Sequence, residues 1–250
     1  MIVLSFLLAL APVQPLTPVN PYAGPHVEKT YTFKVTAPGK LTVTTLNGRI
    51  SVKAGDTGSI IVVANRRSAS QDALGKLSES VMQQGQDVTA TGMFPSDCGE
   101  TCGSVDFTIT VPPNTSVTAN GTNGSIGIED IDGTVVAATK NGPVLCGGLG
   151  GDVTLGSENG MVNAGFRDLS HVSKAILGTN NGVVRVVLPH GATIGTIKAG
   201  TKNGKILTPW ALTPVKQSDG AMKVDHQFSK TGPLFLLGTS TGDVDVVISP

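Results

Sequence analysis

The sequence predicts an all-β protein: a β-solenoid of about seven Asn-Gly coils with a short helical insertion in its N-terminal part. Three observations carry this reading. Glycine supplies 32 of 250 residues while aromatic residues reach only 4%, a composition of many tight turns between short strands. One pattern recurs around seven glycines, at 48, 124, 142, 160, 182, 204 and 242. Within that pattern alternate positions keep the same apolar or small character, which is the period of a strand.

The residue before each of these glycines is Asn47, Asn123, Asn141, Asn159, Asn181 or Asn203, and Thr241 in the last copy. Two residues after it stands a β-branched residue, Ile50, Ile126, Val144, Val162, Val184, Ile206 or Val244. An interval of nine runs through Gly124, Gly133, Gly142, Gly151 and Gly160. It divides an 18-residue unit into two short strands and two glycine corners. Two architectures fit: a meander of Asn-Gly hairpins with type I′ turns, or a solenoid with one unit per coil. A meander leaves its apolar face uncovered, whereas a solenoid turns that face inward and closes it, and we favour the solenoid. Seven coils stacked about 4.8 Å apart would give a rod near ~34 Å long. The Asn row reads as structural, since Asn tolerates positive φ at a tight turn and stacked amides can bond along a ladder. Cys146 shares the inward position of Ile128 and Ala164, so it reads as a small core residue rather than a nucleophile.

Along the chain, residues 2–11 form an apolar run too short to span a bilayer but suited to a signal-peptide core, with Ala9-Leu10-Ala11 as a cleavage candidate. We assign residues 1–20 to a signal peptide and 27–250 to a single β-solenoid domain, interrupted at 66–105 and 209–232. No later run is long enough for a transmembrane span. In the first interruption, Ser68 to Gln84 reads as a helix, with Ser68 and Gln71 as a capping box, Leu74, Leu77 and Val81 on one face, and Gly85 as its end. A strand around Val88 follows, then Cys98-Gly-Glu-Thr-Cys102, then a strand from Val105 to Val111. In an exported protein Cys98 and Cys102 form a local disulfide; a metal site would need further ligands, and none lies nearby in the sequence. The second interruption holds Trp210, Lys216, Lys223 and His226. It reads as a loop or cap over the end of the rod, with those four residues as a speculative interaction loop.

Composition and motifs weigh against several chemistries. Lys plus Arg and Asp plus Glu both number 18, whereas nucleic-acid binding calls for a basic footprint and, for single strands, stacking aromatics. Gly238-Thr-Ser-Thr-Gly242 matches a nucleophile elbow in letters, but a strand-like run follows where that motif needs a helix. Gly147-Gly-Leu-Gly-Gly-Asp152 resembles half of a calcium-binding nonapeptide, yet occurs once and lacks the apolar residue expected at Thr154. His26, His171, His190 and His226 show no ligand spacing. Asn114, Asn120 and Asn123 each begin an N-x-[ST] triplet that turn and strand roles explain. No catalytic, cofactor-binding or metal-binding residues are assigned, and no cofactor is expected.

The units of the form T-x-N-G-x-[VI]-x-Φ resemble those of the bacterial DUF4097 family, adhesin-like domains of repeated β-strands. Val111-Pro-Pro-Asn-Thr-Ser-Val-Thr-Ala-Asn-Gly-Thr-Asn-Gly-Ser-Ile126 looks like that family's entry into its repeat, and Gly238-Thr-Ser-Thr-Gly-Asp-Val-Asp-Val246 is similar to its close. The resemblance covers about residues 30 to 249; the excursion from Pro209 to Gly232 departs from it. It implies an exported, non-enzymatic, β-helix-like domain of the cell envelope, whether periplasmic, at the surface or secreted, and offers no catalytic residues to carry over. The expected function is an adhesin-like binding module whose partner is an unknown envelope protein or a surface glycan, with no nucleic acid. One alternative is a structural or regulatory envelope protein acting through a protein partner. Another is a polysaccharide-active β-helix enzyme, for which Glu129, Lys140 and Glu158 are outward-facing candidates.

Overall fold

The computed structural model describes residues 24–249 apart from 37, 56–57 and 97–101. The signal-peptide assignment and Cys98 lie outside the described residues. The described residues are all-β with one short helix. In order the elements are β1 (His26–Lys34), β2 (Lys40–Asn47), β3 (Ile50–Ala54), β4 (Ser59–Arg67), α1 (Gln71–Lys76), β5 (Ser78–Gln84), β6 (Asp87–Met93) and β7 (Ser104–Val111). The repeats then supply β8 (Ser116–Asn123), β9 (Ile126–Glu129), β10 (Val135–Asn141), β11 (Val144–Leu149), β12 (Val153–Asn159), β13 (Val162–Phe166), β14 (Lys174–Asn181) and β15 (Val184–Leu188). The last are β16 (Thr196–Asn203), β17 (Ile206–Leu207), β18 (Val215–Lys216), β19 (Met222–Gln227), β20 (Leu234–Thr241) and β21 (Val244–Ile248).

These strands form two large mixed sheets. One runs β1-β4-β7-β3-β9-β11-β13-β15-β21-β17 and the other β18-β19-β16-β20-β14-β12-β10-β8-β2-β6-β5. The strands on either side of each Asn-Gly corner therefore lie in different sheets, which overturns the hairpin alternative. Each repeat contributes one layer, and adjacent layers pair in parallel and in register, Val135 opposite both Val117 and Val153. Alternating side chains then meet between the sheets: Leu41, Val117, Val135, Val153 and Ala175 in one row, Ile50, Ile126, Val144, Val162 and Val184 in another, all buried. Cys146 stacks between Ile128 and Ala164 in this interior, and burial pushes its thiol up to about 12, far from a nucleophile's range.

The spatial order of layers departs from the sequence order. β20 pairs with β14 on one side and β16 on the other, so the last repeat lies between the fifth and sixth. The chain skips one layer after β15, builds the outermost layer, and returns to fill the gap. Phe235 of the inserted layer sits opposite the small Ala175 on one side and Ile197 on the other, and its ring meets Phe166 edge-on at 5.8 Å.

Both interruptions close an end of the stack. At the N-terminal end β6 and β7 add a layer parallel to β2 and β3. Antiparallel strands β4, β1 and β5 then finish the two sheets. The sheets are joined there through Glu79, whose side chain is only 1% exposed. It accepts from the Tyr31 hydroxyl at 2.9 Å and lies 3.2 Å from Lys29 and 3.0 Å from Arg66. Arg66 Nε and Glu79 Oε2 make this approach as an ion pair without hydrogen-bond geometry. At the other end β19 runs antiparallel to β16 and β18 antiparallel to β19, and Trp210, Leu212 and Met222 pack against the core.

The helix expected from Ser68 to Gln84 is much shorter. Its N-cap is Ser70, which accepts from the Ala73 amide, and it ends at Leu77. Residues 78–84 form β5 instead, because the edge of β6 offers them a full antiparallel ladder. Gly85, with φ 62°, turns that hairpin rather than ending a helix. Tertiary pairing has overridden a local pattern that fitted both states.

Candidate functional site

The stack is held along its corner by two polar rows. Asn123 donates to Asn47, Asn141 to Asn123, Asn159 to Asn141 and Asn181 to Asn159, each amide at 2.8–2.9 Å. The Asn residues do not take up positive φ as expected; among the described residues Asp130 is the non-glycine that does. Of the glycines that follow them, Gly48, Gly124, Gly142 and Gly182 carry that conformation, with φ of 143° at Gly48 and 141° at Gly142, whereas Gly160 and Gly204 do not. A Cβ on Gly142 would run into the carbonyl oxygen of Gly124, and each corner glycine above Gly48 meets a corner carbonyl in this way. Three residues before the glycine, Thr139, Ser157, Thr179, Thr239 and Thr201 donate their hydroxyls to corner carbonyls of the neighbouring layer. Most of these groups are thus spent on holding neighbouring layers together, while Asn47 Nδ2 at the first corner is buried without a hydrogen-bond partner.

A different row opens on the outer face of the 11-stranded sheet. Four residues before the corner glycine stand Asn120, Ala138, Gly156, Gly178, Gly238 and Gly200 in spatial order, register-matched from strand to strand. The four glycines leave bare backbone across four adjacent strands. A Cβ there would meet its nearest atom no closer than 3.7 Å, and none of the four has positive φ. Neither turn geometry nor close packing calls for glycine at these positions. The outcome is a groove running across the strands, with shallow hollows of about 370 and 420 Å³ that meet at Gly156 and a third of about 440 Å³ beside Gly200 and Gly238. One wall carries Val136, Thr154, Ile176, Leu236 and Lys198 in register. The other carries Lys140, Glu158, Asn180 and Ser240. This row was visible in the sequence as a glycine at one fixed offset in four repeats, and the reading above passed over it.

The residues singled out from the sequence fall as follows. Trp210 packs on Phe228 at 4.8 Å, and Phe228 meets His226 edge-on at 4.4 Å, so the half-buried Trp210 and the exposed His226 belong to one aromatic cluster at the capped end. Lys216 and Lys223 lie on the paired strands β18 and β19, both exposed. Lys140 and Glu158 adjoin on the outer groove, whereas Glu129 lies on the other sheet beside Lys53 at 3.3 Å. Ser240 lies on β20 leading to a corner and then β21, with no helix behind it. Asp152 of the glycine-rich stretch clamps the next layer, accepting from the Ser173 amide, the Ser173 hydroxyl and the Lys174 amide. Burial raises its pKa, but those hydrogen bonds outweigh burial and hold the carboxyl below its ordinary value. Cys102 is disulfide-bonded and Cys146 is free. Among the described residues no three His, Cys, Asp or Glu side chains are placed to share a metal, and no helix is long and apolar enough to cross a membrane.

No family model matches the chain, and no curated protein does. Among solved structures it is similar to a candidate cell adhesion protein from Clostridium sporogenes, at 12% identity and a TM-score of 0.47, over 90% of this chain and 100% of that one. It is also similar to a candidate adhesin from Bacteroides fragilis, at 12% identity and a TM-score of 0.38, over 88% and 97%. A candidate lipid-binding protein from Parabacteroides distasonis follows at 9% identity and 0.27, over 90% and 98%. Scores at this level carry no argument about function, which is read from the chain itself.

Proposed function

We propose that this chain is an exported, non-enzymatic, adhesin-like binding module of a bacterial cell envelope. In this reading its two parallel stacks form a single β-solenoid, residues 27–250, behind a signal peptide at 1–20. The Cys98–Cys102 disulfide belongs to the same picture, since such bonds persist in oxidising compartments. The observation that carries the reading is the outer groove. Four glycines expose flat backbone where the fold would accept a side chain, and threonine, amide and charged groups line the walls. Such a surface suits an extended polymer laid across the strands, and a surface glycan supplies both the length and the hydroxyls.

The test is a glycan-binding panel on the folded protein and on Gly178→Leu and Gly238→Leu. Each leucine fills the groove floor, so binding should fall at least ~10-fold, equivalent to ~1.4 kcal/mol, without a drop in unfolding temperature. Binding that survives both substitutions would remove the groove from the account. A second reading, an envelope protein working through a protein partner, draws on the aromatic cluster at the capped end and on Val215, 62% exposed on β18 of the same cap. Cross-linking in intact envelopes, compared between the wild type and Trp210→Ala, separates the two.

A further inference from the structure

The chain contains seven Asn-Gly dipeptides, beginning at Asn47, Asn120, Asn123, Asn141, Asn159, Asn181 and Asn203. This dipeptide is prone to spontaneous loss of ammonia, because a glycine amide is unhindered when its nitrogen attacks the side-chain carbonyl before it. The fold treats the seven unequally. At five corners the glycine N–H that would attack is already donated: Gly48 to Asn123 O, Gly124 to Asn141 O, Gly142 to Asn159 O, Gly160 to Asn181 O and Gly182 to Thr241 O, all at 2.8–2.9 Å. The asparagines of those corners are joined in the amide ladder. Asn120-Gly121 lies inside β8 between β2 and β10.

Asn203-Gly204 has neither protection. The inserted last repeat places Thr241, not an asparagine, opposite Asn203, so the ladder stops at Asn181. Above Asn203 the antiparallel β19 ends at Met222, opposite Thr201, and covers nothing beyond it. Asn203 and Gly204 are exposed, and neither the Asn203 side chain nor the Gly204 N–H makes a hydrogen bond among the described residues. Both neighbours are held, Asn203 O by the Gly242 amide and the Lys205 amide by Asp243.

We infer that Asn203 is a site of selective self-modification in the folded protein. Gly204 N loses its proton to hydroxide and bonds to Asn203 Cγ. The Cγ–Nδ2 bond breaks, and ammonia leaves carrying a proton from water. Water then opens the cyclic imide at either carbonyl, leaving aspartate or isoaspartate at 203, so the net change is amide plus water to acid plus ammonia. The product places a carboxylate between Lys202 and Lys205, and the isoaspartate form adds a backbone carbon to the outermost layer, the one that carries the cap.

The experiment incubates the folded protein at mildly alkaline pH below its unfolding temperature and follows each Asn-Gly peptide by mass spectrometry, with isoaspartate read by enzymatic methyl transfer. A parallel sample is held in denaturant. In the folded sample conversion at Asn203 should exceed that at the ladder corners by about tenfold or more, because those corners must first break a hydrogen bond. In denaturant the seven should convert at similar rates. Thr241→Asn, which extends the ladder to Asn203, should slow its conversion. Ladder corners converting as fast as Asn203, or Asn203 intact in the folded chain while it converts in denaturant, would overturn the inference. So would an unchanged Asn203 rate in the folded Thr241→Asn variant.

Discussion

Two rows of glycine cross the same stack of strands, one along the corner and one along the outer face. At the corner a Cβ would collide with a carbonyl of the next layer, and the backbone at Gly142 has φ 141°. On the outer face the space beside Gly178 is open and its φ is ordinary. Glycine is thus a requirement of assembly in one row and a choice about surface shape in the other. A count of glycines, or a repeat alignment, treats the two alike; only the approach of neighbouring layers separates them.

The sharpest way to break this contrast is Gly142→Ala. It combines unfavourable φ with overpacking against Gly124, so unfolding by urea should show a loss of ~3 kcal/mol or more. A loss below ~1 kcal/mol would mean that the layers are not locked at the corner. Next in size, Asn141→Ala removes a ladder member that both donates and accepts, and should cost ~1–3 kcal/mol in the same assay. Asn203→Ala, outside the ladder, should stay within ~0.5 kcal/mol. Equal effects would sink the claim that the ladder ends at Asn181.

A pH profile addresses the second corner. Asp152 has a lowered pKa in the folded chain, so its contribution is complete above the ordinary carboxylate range. It is lost as pH falls through that range toward the folded value. Asp152→Asn should therefore flatten the acid limb of stability against pH, and an unchanged limb would show that the clamp on Ser173 and Lys174 is idle. The smallest expected effect is Gly178→Ala. With no clash to meet, it should stabilise the fold by ~0.5–1 kcal/mol, since alanine loses less chain entropy in a strand.

Much of this was legible in the sequence because the repeat writes its own geometry. Period-2 alternation around each Asn-Gly gave the strands, the buried rows and the place of Cys146. The ladder was expected, although positive φ was assigned to asparagine when it is the glycine beside it, at Gly48, Gly124, Gly142 and Gly182, that takes that role. Layer order was not legible, because every repeat presents the same edge pattern and any two can pair. The one local sign was Thr241 in place of asparagine, and its meaning depends on knowing what lies on either side. The helix was overextended because Leu74, Leu77 and Val81 fit a helical face, while β5 is decided by its antiparallel pairing with β6 and by a contact 49 residues away in sequence, Gln83 donating to the Lys34 carbonyl at 2.9 Å. The outer groove was missed because the pattern search looked for what the repeats share inward, and the groove is made of what they leave off outward.

The insertion of β20 and β21 between earlier layers also sets a timetable. Synthesis delivers residues 196–207 before 234–248, yet the earlier segment occupies the farther layer. A stack that added each repeat as it emerged would seat 196–207 directly on 174–188, with matching edges and a compatible asparagine, and would then have to release it. In the finished fold residues 234–248 are therefore a wedge between two layers rather than a tile laid on top, and seating them requires that 196–207 leave that place open.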